Sequence, residues 1–290
     1  MSNYRTVYEF GKKSLEQAGV LEADLDARLL LEACCNTDRN TLLVHPDREV
    51  SDEEYNNYVN YIRIREKRVP IQHILNTQNF MGLDFYVNQD VLIPRQDTEI
   101  LVEEAMQNLH DGMRVLDICT GSGCILISLL HYSNDCTGVG IDISAKALKV
   151  AQKNATAILN VNPEEKTKIS FYEGDLFEAL DDTDCVKYDM VVSNPPYIKT
   201  EEIDKLQPEV KDYEPMNALD GFADGLFFYK KIISEVGKYI VRGGMLFFEI
   251  GYDQGEDVKN LMEQGGFVEV SVKKDYAGLD RVVFGTYLPD

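Results

Sequence analysis

From residue 112 onward, short apolar runs alternate with glycine-bearing turns and helical stretches, and that alternation leaves few folds open. Arg114–Ile118 reads as a strand, Thr120–Gly123 as a turn and Cys124–Tyr132 as a helix. The same punctuation returns with strands at Gly138–Asp142, Ile169–Glu173, Met190–Ser193 and Met245–Ile250, and helices at Ala145–Leu159 and Phe227–Val241. Alternation at this spacing predicts βαβ units and a largely parallel sheet. Val268–Val272 and Val282–Tyr287, with Gly278 between them, read as a final antiparallel pair at the sheet edge.

Upstream the period changes. Apolar residues recur at three- and four-residue spacings, as in Leu25, Leu29, Leu30 and Ala33, which predicts a helical domain over residues 1–70. Ser51-Asp-Glu-Glu54 opens one of its helices as a capping box, and that helix stops before Pro70. Between them, residues 71–93 carry two β-like runs, Phe80–Val87 and Val91–Ile93, separated by Asn88-Gln-Asp90, and read as a hairpin linker. The third segment, residues 94–290, holds the alternating pattern.

Charge and cysteine usage exclude several functions. Lys and Arg number 29 against 50 Asp and Glu, a formal charge of −21 that repels a polyphosphate, so duplex DNA is not the expected partner. The six cysteines show no CxxC pair and the four histidines no ligand spacing, which predicts neither a metal site nor a disulfide framework and points to a reducing cytoplasm. No apolar run is long enough to cross a bilayer and the N-terminus lacks an apolar leader, so a soluble, unexported chain is expected. The basic cluster Arg63, Arg65, Lys67 and Arg68 fits either a solvated helix face or contacts to phosphates or an acidic partner, and Cys34-Cys35 fits an apolar stripe.

In a doubly wound sheet ligands lie beyond the carboxyl ends of the strands, so the residues just after each strand are the informative ones. After the first come Asp117, Cys119, Thr120, Gly121, Ser122 and Gly123, a turn that lets backbone approach a ligand and offers a helix N-terminus to a negative group. Asp142 ends the second strand 19 residues beyond Gly123, the offset at which an acid accepts from ribose hydroxyls. Leu126 stands where a dinucleotide motif has its third glycine, and Asp175 closes the third strand, where a carboxylate could accept from an adenine amine. The set suits an adenosine without phosphates, hence S-adenosyl-L-methionine over NAD. Glu249 fits either a place behind that ligand or a plain strand end.

Asn194-Pro-Pro-Tyr197 follows the fourth strand. Pro195 and Pro196 forbid regular structure and leave stiff carbonyls. A planar NH2 is a poor nucleophile because its lone pair is delocalised, and it needs acceptors for both hydrogens to aim its nitrogen at a methyl donor. The Asn194 side-chain oxygen and the Pro195 carbonyl are the expected acceptors, with Tyr197 packing on the planar face.

Taken together, these motifs resemble class I S-adenosylmethionine-dependent methyltransferases of the amino-group type. Asn-Pro-Pro-Tyr alone does not choose among adenine-N6, guanine-N2 and glutamine-N5 enzymes. Leu92-Ile-Pro-Arg-Gln-Asp-Thr-Glu99, Tyr213-Glu-Pro-Met-Asn-Ala-Leu-Asp-Gly221, Asp224-Gly-Leu226, Glu249-Ile-Gly251 with Gln254, and Asp275–Arg281 are similar to the protein-(glutamine-N5) methyltransferases of the HemK/PrmC family. Ribosomal-protein glutamine methyltransferases share most of these motifs but typically lack the Thr-Glu ending of the first, and rank second. The resemblance implies a Rossmann-like methyltransferase sheet, mostly parallel with an antiparallel edge, plus an N-terminal helical domain for substrate recognition. It implies as substrate the glutamine of the Gly-Gly-Gln loop in class I peptide chain release factors. A monomer is the expected state. Carried over by position, Cys119–Gly123 and Asp142 bind the cofactor, Leu176 lies against the adenine, and Asn194–Tyr197 hold the glutamine; Arg95 is a further expected substrate-binding residue. Cys119 replaces a usual Gly, Leu176 a frequent Trp, and Gln96-Asp97 a Pro-Glu pair. Arg95 and Glu99 fit an ion pair closing the site or a linker surface.

Overall fold

The computed structural model describes residues 2–162, 165, 168–180 and 186–289; Cys185 of the cysteine inventory lies outside them. In chain order the elements are α1 (Tyr4–Gln17), α2 (Ala23–Cys34), α3 (Arg39–Val44), α4 (Asp52–Arg65), α5 (Ile71–Leu75), β1 (Thr77–Phe80), β2 (Leu83–Tyr86), α6 (Gln96–Asn108), β3 (Arg114–Ile118), α7 (Cys124–His131), β4 (Thr137–Asp142) and α8 (Ala145–Leu159). They continue with β5 (Ile169–Glu173), β6 (Tyr188–Ser193), α9 (Thr200–Ile203), α10 (Pro208–Lys211), α11 (Phe227–Glu235), β7 (Ile240–Glu249), α12 (Gly255–Gln264), β8 (Phe267–Lys274) and β9 (Asp280–Tyr287). Two units result, Met1–Thr77 with Gln207–Tyr213, and Gln78–Leu206 with Glu214–Asp290. No helix among the described residues is long and apolar enough to cross a membrane.

The first unit is helical for local reasons. Reciprocal capping boxes, Asn3 with Thr6 and Ser51 with Glu54, satisfy two of the free amides that open each of α1 and α4. The apolar faces close on Leu15, Leu30, Leu31, Tyr58 and Ile62. Gly11 is obligatory there, because a Cβ would stand 1.9 Å from the Tyr58 hydroxyl. The basic cluster divides. Arg63 and Lys67 are exposed, but Arg65 is buried, donating from Nε to Asp26 at 2.7 Å and from Nη2 to Glu209 at 2.9 Å. Arg68 meets Glu209 through two bonds of 2.6 Å. Arg65 and Arg68 are therefore neither a solvated face nor free for phosphate; a guanidinium can be buried only where carboxylates answer it.

In the second unit the hairpin differs from expectation. It turns at Met81-Gly82, both at positive φ (52° and 73°), and Val91–Ile93 is not a strand. Two consecutive positive φ values build the tight turn whose twist matches paired strands. The helix expected over Phe227–Val241 ends at Glu235, and β7 starts early, at Ile240. An irregular register opposite β6 absorbs the extra residues, with Gly243 at φ 86°.

The seven-stranded sheet runs β5-β4-β3-β6-β7-β9-β8, parallel except for β9, which is antiparallel to both neighbours. Strand order reverses between β3 and β6, the switch point where ligand sites form in such sheets. α7 is buried all round, as an apolar helix against the sheet must be. α6 covers the sheet with Ile100, Leu101, Val102 and Ala105. Position in the chain therefore fixes the position of the polar strand ends, which gather at one edge.

Candidate active site

A cavity of about 570 Å³ opens at the carboxyl ends of β3, β4, β5 and β6. It is lined by Cys119, Thr120, Gly121 and Ser122 after β3, Asp142 of β4, Asp175 and Leu176 after β5, and Asn194 and Pro196 after β6. Arg95 and Thr98 line it from the start of α6. Of the expected site residues, Asp117, Gly123, Pro195 and Tyr197 stand outside the lining.

The turn after β3 is held by its own polar groups. Thr120 Oγ1 donates to Asp117 Oδ2 at 2.6 Å, and the Gly121 amide donates to Asp142 Oδ2 at 2.8 Å. The other Asp142 oxygen accepts from the Ser144 amide at 2.9 Å, so this carboxylate couples two strand ends. Gly123, at φ 79°, has no room for a side chain: a Cβ would stand 2.8 Å from Ile127. Gly121 is different. At φ 55° its Cβ would meet nothing within 4 Å, so the space beside this backbone is open to a ligand. Cys119 and Leu176 also hold positive φ, 62° and 53°, where side chains are strained.

Burial sets the ionisation of the site. Asp117 is fully buried and its carboxyl is pushed up to about 7. Asp142 is raised by burial, against the pull of its two amide donors. Burial carries the Cys124 thiol to about 12 and that of Cys119 well above its usual value, so both are neutral lining groups and not nucleophiles. Asp175 is engaged with Lys231 at 2.6 Å.

Asn194 projects into the same cavity, its Nδ2 3.4 Å from Thr98 Oγ1. The Tyr197 phenol is turned to Glu249 Oε1 at 3.1 Å, and Glu249, 1% exposed, is raised by burial. Arg95 pairs with buried Glu214, which also accepts the Ile93 amide at 3.1 Å; Glu99 instead takes the Met81 amide at 2.6 Å. The proposed Arg95–Glu99 pair is thus replaced, because Glu99 is held by the hairpin turn. Glu214, Thr98 and the wedge of Gly221, Gly225 and Gln254 were not given roles by sequence reasoning. Gln254 Nε2 donates to the Tyr197 carbonyl at 3.1 Å and the Gly225 carbonyl at 3.2 Å. A Cβ on Gly221 would stand 2.7 Å from Tyr197 Cα. Only their place in the quoted motifs signalled them.

The sheet order and a ligand cavity at its switch point define a class I methyltransferase fold. A methyltransferase from Pyrococcus furiosus shares it with a TM-score of 0.52 at 15% identity, covering 80% of this chain and 99% of that one. Residues 6–75 match the PrmC N-terminal domain and residues 95–208 the methyltransferase small domain. Release factor glutamine methyltransferases of Clostridium acetobutylicum and Geobacter sulfurreducens are 42% and 41% identical, over 89% and 97% of this chain and 89% and 95% of theirs. The chain belongs to the release factor glutamine methyltransferase family.

Proposed function

We propose that the protein transfers a methyl group from S-adenosyl-L-methionine to the side-chain amide nitrogen of the Gly-Gly-Gln glutamine in class I peptide chain release factors, in the cytoplasm. The observation that carries the reading is Asn194, at the end of β6, lining the same cavity as Asp142 and Gly121. The residues fit the cofactor: open space beside Gly121, carboxylates at Asp142 and Asp175, and an apolar wall at Ile143, Leu176 and Phe228. When bound, the cofactor supplies an electrophilic methyl group.

The chain's own groups do the rest by placement. Asp142, already held by two amides, keeps lone pairs for ribose hydroxyls. Asn194 Oδ1 and the Pro195 carbonyl hold the two amide hydrogens and aim the nitrogen, and the adjacent proline rings stiffen that backbone. Tyr197, tied to Glu249, anchors the motif to β7. No strong base is required, since the product nitrogen can release its proton after transfer. The helical unit serves substrate recognition.

The test is tandem mass spectrometry of a release factor incubated with the protein and S-adenosyl-L-methionine, with Asn194→Ala as control. One methylene added on the Gly-Gly-Gln glutamine, absent in the control, is the expected result. No addition despite calorimetric cofactor binding overturns the substrate.

A further inference from the structure

Phe222 holds a backbone conformation that favours glycine, with φ at 66°, and it lines the mouth of the cavity while 47% exposed. The left-handed region costs a residue with a side chain free energy, and positions that carry such strain gather where a protein binds something. We infer that Phe222 is a specificity-determining residue for the substrate chain. Its ring is a flat rest for the glycine that precedes the target glutamine, and it rejects a side chain at that position. The inference rests on the reading that the substrate is a Gly-Gly-Gln loop.

The strained conformation is fixed from several sides. Asp220 Oδ1 accepts the Phe222 amide at 2.9 Å and the Thr200 hydroxyl at 2.7 Å, and the Phe222 carbonyl accepts the Thr200 amide at 3.2 Å. One residue earlier, the Gly221 amide donates to the Ile198 carbonyl at 2.8 Å, and Gly221 packs directly on the Tyr197 backbone. Phe222 is thereby tied to the chain that leaves Asn194–Tyr197, the peptide proposed to hold the glutamine amide. Its ring packs on Phe227, with centroids 4.6 Å apart, and lies 5.8 Å from Phe228. All three line the cavity. Phe228 is half-buried and belongs to the apolar wall that fits the cofactor, whereas Phe222 and Phe227 are the exposed members. They are the part of the aromatic cluster that the cofactor does not require.

A glutamine side chain has a fixed reach, so the backbone that carries it must come down to the cavity mouth for the amide to meet Asn194. A glycine beside it presents only a peptide plane and a CH2 group, which pack flat on an aromatic face. A Cβ at that glycine would stand between the chain and the ring, lift the backbone and draw the amide away from Asn194. Selection by collision is a repulsive device, and it works only where the blocking group is held in place. Phe227 supports the ring, and the bonds from Asp220 and Thr200 fix the backbone beneath it.

The experiment measures kcat/KM of wild type, Phe222→Gly and Phe222→Tyr on two full-length release factors, one with the native Gly-Gly-Gln loop and one with Gly-Ala-Gln. The ratio of the two values for one enzyme does not depend on how much of that enzyme is folded. Wild type should favour the native loop by about a hundredfold, the cost of misplacing the amide by about 1 Å. Phe222→Gly relieves the backbone and removes the ring, and should lower that ratio by about tenfold or more; Phe222→Tyr keeps the aromatic face and should retain it. The calorimetric Kd for S-adenosyl-L-homocysteine should stay within about twofold of wild type in Phe222→Gly, since the ring is not part of the cofactor's wall. A ratio unchanged in Phe222→Gly, or lowered equally in Phe222→Tyr, overturns the proposal. Cofactor affinity lost with the ring overturns it too, and assigns Phe222 to the cofactor. If wild type methylates neither release factor, the substrate reading has failed and the inference falls with it. If wild type methylates both equally well, the substrate reading stands and the inference alone is refuted.

Discussion

Gly225→Ala tests whether the catalytic motif is held by close backbone approach. Gly225 sits at φ 70°, and a Cβ there would stand 2.5 Å from the Tyr197 carbonyl oxygen and 2.6 Å from Gln254 Nε2. Those two atoms are bonded to each other at 3.1 Å, so the added methyl lands on their hydrogen bond. Left-handed backbone costs a side-chain-bearing residue roughly 1–2 kcal/mol. Displacing the Gln254 amide leaves the Tyr197 and Gly225 carbonyls without their donor, about 1–3 kcal/mol for each buried group. The expected loss is therefore about 3–8 kcal/mol. Gly243→Ala is the reference: φ is 86° there, but nothing lies within 4 Å of the Cβ, so backbone strain acts alone. Urea unfolding followed by circular dichroism should separate the two variants by about 2 kcal/mol or more. In the folded fraction, a motif displaced by about 1 Å should transfer methyl roughly a hundredfold more slowly. Equal destabilisation of Gly225→Ala and Gly243→Ala would refute the reasoning, because the close approach would then carry no energy.

Asp117, ordinarily near 3.8, holds its proton in the folded state up to about 7, so the unfolded chain binds fewer protons between those values and stability falls as pH rises through that window. Relative to Asp117→Asn, wild type should lose on the order of 4 kcal/mol from pH 4 to pH 7, and parallel unfolding profiles of the two would contradict the assignment. Arg65→Ala strands the buried Asp26 carboxylate and should cost about 3–5 kcal/mol, whereas exposed Arg63→Ala should change stability by less than about 0.5 kcal/mol. Thermal unfolding of both variants checks this; losses of similar size would refute the buried pairing.

Local signals were legible and distant pairings were not. β3, α8 and β5 stand at their predicted bounds, because an apolar run ended by a turn, or a capped amphipathic stretch, is specified by neighbours in the chain. The hairpin was misread because Asn88-Gln-Asp90 looks more like a turn than Met81-Gly82 does, and only the backbone dihedrals show that Met81 accepts positive φ. Arg65 finds Asp26 at a separation of 39 residues and Glu209 at 144, and Arg95 finds Glu214 at 119, so no spacing rule could have joined them.

The same distinction explains why Asn194–Tyr197 comes with glycines and a glutamine far along the chain. A site that works by aiming a weak nucleophile needs its acceptors fixed to a fraction of an ångström, and two proline rings stiffen only the backbone between them. The remaining freedom is removed from outside. Gly221 and Gly225 let a neighbouring loop touch the Tyr197 backbone, Gln254 bonds its carbonyl, Glu249 its phenol, and Thr98 the Asn194 amide. Each is unremarkable alone in the sequence. Their common feature is the peptide they hold, and that feature exists only once β6, β7 and the loop before α11 lie side by side.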